Sequence, residues 1–167
     1  MSTLKKVLAL TLVFAMAFTM MAGATFTDDS AITRKDQVDL VYALNVMKGY
    51  PDGSFGPVKT ITRAEAAKML YVMKTGKDEG AANYANAVKP FTDTIGHWAE
   101  GFINYCYMNG IIAGVGNGKF DPEAPVTGAQ LAKMVLGVIG YGDKAQLTGV
   151  NWLVNTMSLA FENNLFD

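Results

Sequence analysis

The sequence predicts an all-α fold of tandem helix–turn–helix repeats, two complete and a third partial, behind a signal peptide. Three observations carry this. Gly49–Leu70 (GYPDGSFGPVKTITRAEAAKML) returns without a gap as Gly114–Val135 (GVGNGKFDPEAPVTGAQLAKMV), 65 residues later. Each copy closes on a Thr-x-x-Glu/Gln helix start after a turn dense in Gly and Pro. The opening residues are laid out as an export signal. A chain that repeats a supersecondary unit forms an array whose units pack on each other, which favours a binding or assembly module over an enzyme.

In the signal, Lys5 and Lys6 form a basic n-region and Val7–Met21 an almost unbroken apolar run. Ala22-Gly23-Ala24 is a small-x-small cleavage site, so the cut is placed after Ala24. The rival reading is an uncleaved anchor, but the run is near the lower length limit for a span. No Cys stands at the junction, so lipid attachment is not supported. The 143 residues that follow are enough for one core. Loss of Lys5 and Lys6 moves the formal net charge from −1 to −3, which argues against a nucleic-acid partner. Cys106, the single cysteine, can form no disulfide within the chain and reads as a small buried hydrophobe.

Repeat 1 spans 25–76. Its first helix is expected over Lys35–Met47, with Val38, Val41, Tyr42 and Asn45 at helical spacing and Leu40, Leu44 and Met47 widening the stripe. The second helix starts at the capping box Thr62-Arg63-Ala64-Glu65, presents Ala66, Met69, Leu70 and Met73, and stops at Gly76. Residues 77–88 are small and polar and read as a linker with a short helical turn around Ala81–Ala87. Repeat 2 spans 89–142. Its first helix is expected over His97–Met108, with Trp98, Phe102, Tyr105 and Cys106 on one side and Gly110 at its end. Its second begins at Thr127, with Gln130 completing the box, and carries Leu131, Met134, Val135, Val138 and Ile139 up to Gly140. Residues 143–167 open a third unit. Trp152, Thr156, Leu159, Ala160 and Asn163 fall at helical spacing, and Asn163-Asn164-Leu165 parallels the end of the repeat-2 helix, but no third turn or capping box follows.

These residues resemble the S-layer homology (SLH) family, whose repeat runs F-x-D, H-W-A, an apolar helix, G-I, a G-x-x-x-G-x-F-x-P turn and a T-R-A-E helix start. Repeat 2 carries Phe91-Thr92-Asp93, His97-Trp98-Ala99, Gly110-Ile111 and Gly118-Lys119-Phe120-Asp121-Pro122. Repeat 1 carries Phe26-Thr27-Asp28, Gly53-Ser54-Phe55-Gly56-Pro57 and Thr62-Arg63-Ala64-Glu65. The resemblance implies three repeats in a pseudo-threefold arrangement, a place in the cell wall or surface layer, and grooves that take secondary cell-wall polymers, often with pyruvylated sugars. Carried onto this chain, it implies Arg63, Asp93 and Trp98 as groove residues, with Thr62, Glu65 and Asp28 as further candidates.

Arg63 has a physical argument of its own. A cation in a helix's first turn opposes the helix dipole, so the position is better explained if an anion sits between Arg63 and free N–H groups. A guanidinium grips a carboxylate with two hydrogen bonds, and Trp98 could stack on a sugar face. The alternative is a solvated surface charge or a pair with a nearby acid. Against the family pattern, Gly128 stands at the place of Arg63 and Gln130 at that of Glu65, and repeat 1 has Ile32-Thr33-Arg34 in place of H-W-A. At most one groove then keeps its cation.

Other chemistry is not supported. His97 is the only His, so zinc lacks its ligand cluster, and Asp52-Gly53 and Asn117-Gly118 lack the alternating oxygens of a calcium loop. No catalytic constellation and no cofactor site are expected. The expected function is attachment to anionic wall polysaccharide. The alternative is a surface-layer assembly unit acting through protein contacts, with self-association through an apolar face that two and a part repeats leave open.

Overall fold

The computed structural model describes residues 23–142 and 147–165. The expected signal peptide, apart from its last two residues, lies outside them, as do residues 143–146 at the opening of the expected third unit. The described residues form α1 (Lys35–Ala43), α2 (Arg63–Thr75), α3 (Glu100–Met108), α4 (Gly128–Val138) and α5 (Trp152–Glu162). Short 3-10 turns lie at Asp29–Ala31, Ala81–Tyr84 and Thr92–Thr94, and among these residues there is no strand beyond isolated bridges.

Both predicted capping boxes form. Thr62 accepts from the Glu65 N–H while the Glu65 carboxylate accepts from the Thr62 N–H, and Thr127 and Gln130 do the same. Gly76 closes α2 in the left-handed conformation. The first helices are shorter than the periodicity predicts. α1 ends at Ala43 because Asn45 turns left-handed (φ 58°) and the N–H groups of Leu44, Asn45 and Val46 fold back onto Leu40, Tyr42 and Val41. Asn109, Gly110 and Ile111 repeat this closure on Tyr105, Tyr107 and Cys106, and Asn163, Asn164 and Leu165 repeat it on Leu159, Phe161 and Ala160. The helix of the third unit therefore closes in the same way as the first helices of the two repeats. α3 begins at Glu100, three residues after the expected His97, because His97-Trp98-Ala99 is itself a turn in which the Ala99 N–H donates to His97 Nδ1 at 3.1 Å.

α2 packs against α3 and α4, and α4 against α5. Burial on two sides broadens the apolar face of α2. Ala64, Ala67, Tyr71 and Val72 are buried with Ala66 and Leu70, while Met73 faces solvent. Leu70, Ile103, Cys106, Phe120 and Met134 belong to one core, and Ala132, Leu136, Leu147 and Ala160 seat the third unit in a smaller one. The connecting segment 77–88 is docked on α3. Ala81 is buried, the Tyr71 hydroxyl donates to the Glu79 carbonyl, and the fully buried Asn104 amide donates to the carbonyls of Tyr84, Ala85 and Val88. α1 makes no comparable helix contact among the described residues and leaves Leu40 and Leu44 exposed.

The repeated F-x-D and Gly residues form one device. The Phe91 ring lies on Gly114, where an added Cβ would stand 2.5 Å from Phe91 Cε1 and 2.5 Å from the Lys119 carbonyl oxygen. Phe26 and Gly49 are arranged likewise. The Asp93 carboxylate then accepts from the N–H groups of Phe120 and Asp121, both at 2.9 Å, and Asp28 from those of Phe55 and Gly56, both at 2.8 Å.

Candidate functional site

Arg63 is the first residue of α2, and the turn of repeat 2 comes to meet it. The Arg63 and Ala64 N–H groups donate to the carbonyls of Ala124 and Pro122, both at 2.9 Å, and the Val126 N–H donates back to the Ile61 carbonyl at 3.0 Å. The Glu65 N–H is taken by the Thr62 hydroxyl. This corrects one expectation. The first-turn N–H groups beside Arg63 are not free for an anion, because the neighbouring repeat's carbonyls cap the helix. Nor is Arg63 a solvated surface charge. It is 5% exposed, donates from Nε to the Phe120 carbonyl at 2.7 Å and from Nη2 to the Ala113 carbonyl at 3.1 Å, and stacks 4.4 Å from the Phe120 ring centre. Burial lowers its pKa, partly offset by the charges of Asp121 and Asp93.

The same guanidinium lines a groove of about 790 Å³ between repeat 2 and the third unit. Gln130, Lys133 and Trp152 line it too, with the backbone from Gly110 to Val115 along one wall. Lys133 Nζ stands 5.4 Å from the Trp152 ring centre. Burial, together with the positive charge of Arg63, lowers the Lys133 pKa. Two partly desolvated cations beside an aromatic face and an amide suit a sugar that carries an acid: the cations take the carboxylate and the indole takes the ring. Among the described residues no carboxylate pairs with Lys133. Asp143, which the 65-residue spacing matches to Asp78, lies outside them.

Trp98 lies elsewhere. It is 56% exposed, its ring centre is 5.5 Å from that of His97, and it lines a pocket of about 510 Å³ with Asp78, Phe102 and the Gly80–Ala82 backbone. His97 Nε2 meets Glu123 of the repeat-2 turn at 2.7 Å. Since Nδ1 accepts from Ala99, the neutral ring carries its proton on Nε2. At this groove Asp78 bonds to Lys48 at 2.9 Å and to Lys68 at 3.2 Å. Arg63 and Trp98, paired by the sequence reading, therefore line different grooves. Thr62 and Glu65 are occupied in the capping box, and Asp28 and Asp93 brace their own turns through both carboxylate oxygens.

The sequence reading missed Lys133 and Trp152 as groove residues. Both had a signal: Lys133 is identical to Lys68 at the 65-residue spacing, and Trp152 aligns with Trp98 once the helix closures at Asn109 and Asn163 are matched. The connection between units shortens from the second repeat to the third, so the first spacing does not find it.

The S-layer homology domain model matches residues 25–67 and 90–132, which are the two repeats. The chain is 37% identical over 96% of its length to a cell surface protein of Thermoanaerobacter kivui, covering 23% of that protein. It is 35% identical over 64% of its length to a cellulosome-anchoring protein of Acetivibrio thermocellus, covering 26% of it. Over 75% of its length it is 30% identical to an uncharacterized cell wall amidase of Bacillus anthracis, covering 22% of it. The chain thus spans about a quarter of the length of these relatives. With two matched repeats in a helical fold, the chain belongs to the S-layer homology domain family and is a cell-surface protein.

Proposed function

We propose that this chain is a non-catalytic anchoring module. It holds the protein that carries it to the cell wall by binding an acid-bearing, pyruvylated wall polysaccharide in the groove between repeat 2 and the third unit. The observation that carries this reading is the convergence of Arg63, from repeat 1, with Lys133 and Trp152 on one groove. The name of the cellulosome-anchoring relative from Acetivibrio thermocellus supports anchoring, and that of the amidase supports a module that travels with other activities. The roles of the groove residues are Lys133 and Arg63 for the carboxylate, Gln130 for sugar hydroxyls and Trp152 for the sugar face.

The test is co-sedimentation of the exported chain with purified cell walls, before and after acid extraction of the secondary polymers. Lys133→Gln and Trp152→Ala are the informative variants, since Arg63 also joins the repeats. We expect binding that needs the polymer and falls at least tenfold in either variant. Binding that survives both extraction and substitution would sink the reading.

A second reading has its own observation. α1 exposes Leu40 and Leu44, and α5 exposes Leu153 and Val154. Faces of this kind suit surface-layer assembly through protein contacts. Sedimentation velocity over a concentration series tests it: a monomer at every concentration excludes self-assembly through these faces.

A further inference from the structure

We propose that the groove between repeats 1 and 2 is closed to acidic ligands by the chain's own carboxylate, Asp78. This rests on the reading of the other groove given above. Lys68 corresponds to Lys133, and Trp98 to Trp152; here the indole lines the pocket, and Lys68 meets it at its edge through Asp78. Lys68 Nζ lies 5.8 Å from the Phe102 ring centre, and Phe102 and Trp98 line the pocket with Asp78. A second cation, Lys48, stands where repeat 2 has Ala113. Each oxygen of Asp78 takes one of these lysines, Oδ2 with Lys48 and Oδ1 with Lys68. That is the bidentate, two-cation site a ligand carboxylate would want.

Asp78 follows the Gly76 helix stop by two residues, so it is a competitor on a short tether. Its effective concentration is on the order of millimolar or above, and a weakly held sugar acid does not displace it. Burial raises the Asp78 pKa, but the two lysines outweigh it and hold the carboxyl below its ordinary range, so it stays charged near neutrality. Both lysines are partly exposed, and ion pairs of this kind contribute little to folding. Asp78→Asn therefore opens the groove without unfolding the chain.

The chain has two tryptophans, one at each groove. Their indole N–H signals in a 15N spectrum report separately, with Trp98→Phe assigning them. The probe is a methyl hexoside bearing a 4,6-pyruvyl ketal, with its methyl ester as the uncharged control. In wild type the Trp152 signal shifts, Trp98 stays still and calorimetry gives one site. In Asp78→Asn both signals shift and the count becomes two, while Asp78→Asn with Lys68→Ala silences Trp98 again. Trp98 shifting in wild type, or staying still in Asp78→Asn while Trp152 responds, overturns this proposal alone. Silence of both indoles in both proteins overturns it together with the acid-binding reading.

Discussion

Arg63 in the first repeat and Phe120 in the second are joined twice, by a 2.7 Å bond from Nε to the Phe120 carbonyl and by stacking of the guanidinium on the Phe120 ring. The residue that faces the proposed ligand is thus also a tie between repeats. Arg63→Ala should lower unfolding free energy in urea by about 2–3 kcal/mol, the scale for losing charged hydrogen bonds and stranding their acceptors. A variant as stable as wild type would show that the tie is idle. Loss of wall binding by Arg63→Ala would then mean little without its stability, which is why Lys133 is the cleaner probe.

Gly114→Ala should destabilise through overpacking, by about 1–3 kcal/mol. The new Cβ meets a backbone oxygen and the Phe91 ring at once. Thermal melting checks this, and Gly128→Ala is the matched control, because a Cβ there meets nothing within 4 Å.

Stability should fall on acidification below the ordinary Asp pKa of 3.8. Bonds from the Phe55 and Gly56 N–H groups hold the Asp28 carboxyl below that value. Burial raises Asp93, but the Phe120 and Asp121 N–H groups outweigh it, and its pKa is lowered too. A depressed folded-state pKa contributes stability that is complete above the unfolded value and is lost as pH drops through the folded one. Urea midpoints measured from pH 6 to pH 2.5 should decline through that window. Asp28→Asn with Asp93→Asn should start lower and decline less.

Cys106 should be inert in the folded protein. Burial pushes its thiol up to about 12, and Sγ lies 3.5 Å from the Ala67 carbonyl oxygen. A colourimetric thiol reagent at pH 8 should label it only after unfolding. Prompt labelling of native protein would contradict this burial.

What was legible in the sequence was what repeats. The helix starts at Thr62 and Thr127 follow from a local rule written twice, and the stop at Gly76 from another; the docking of α4 against α2 is visible only in the structure. The end of α1 was misread by a few residues because Met47 continues the apolar periodicity past the point where Asn45 turns left-handed, whereas the end of α3 at Met108 was read correctly. Asp28 and Asp93 entered as groove candidates through the family resemblance alone, and their partners, backbone N–H groups 27 and 28 residues away, are a relation in space that the sequence does not display. The pairing of Arg63 with Trp98 separated because adjacency across a repeat interface depends on which neighbour a side chain crosses to, and Arg63 crosses forward, into the turn of the next unit.

That forward crossing also governs how the module fails. Ile61–Ala64 and Pro122–Val126 run antiparallel, bridged at Thr62 and Pro125. Tension that slides one segment along the other loads their three backbone bonds together, in shear, where a peeling load would break them one after another. An interface built this way resists until the bonds give way as a group, and the helix cap of one repeat is lost in the same event that frees the turn of the next.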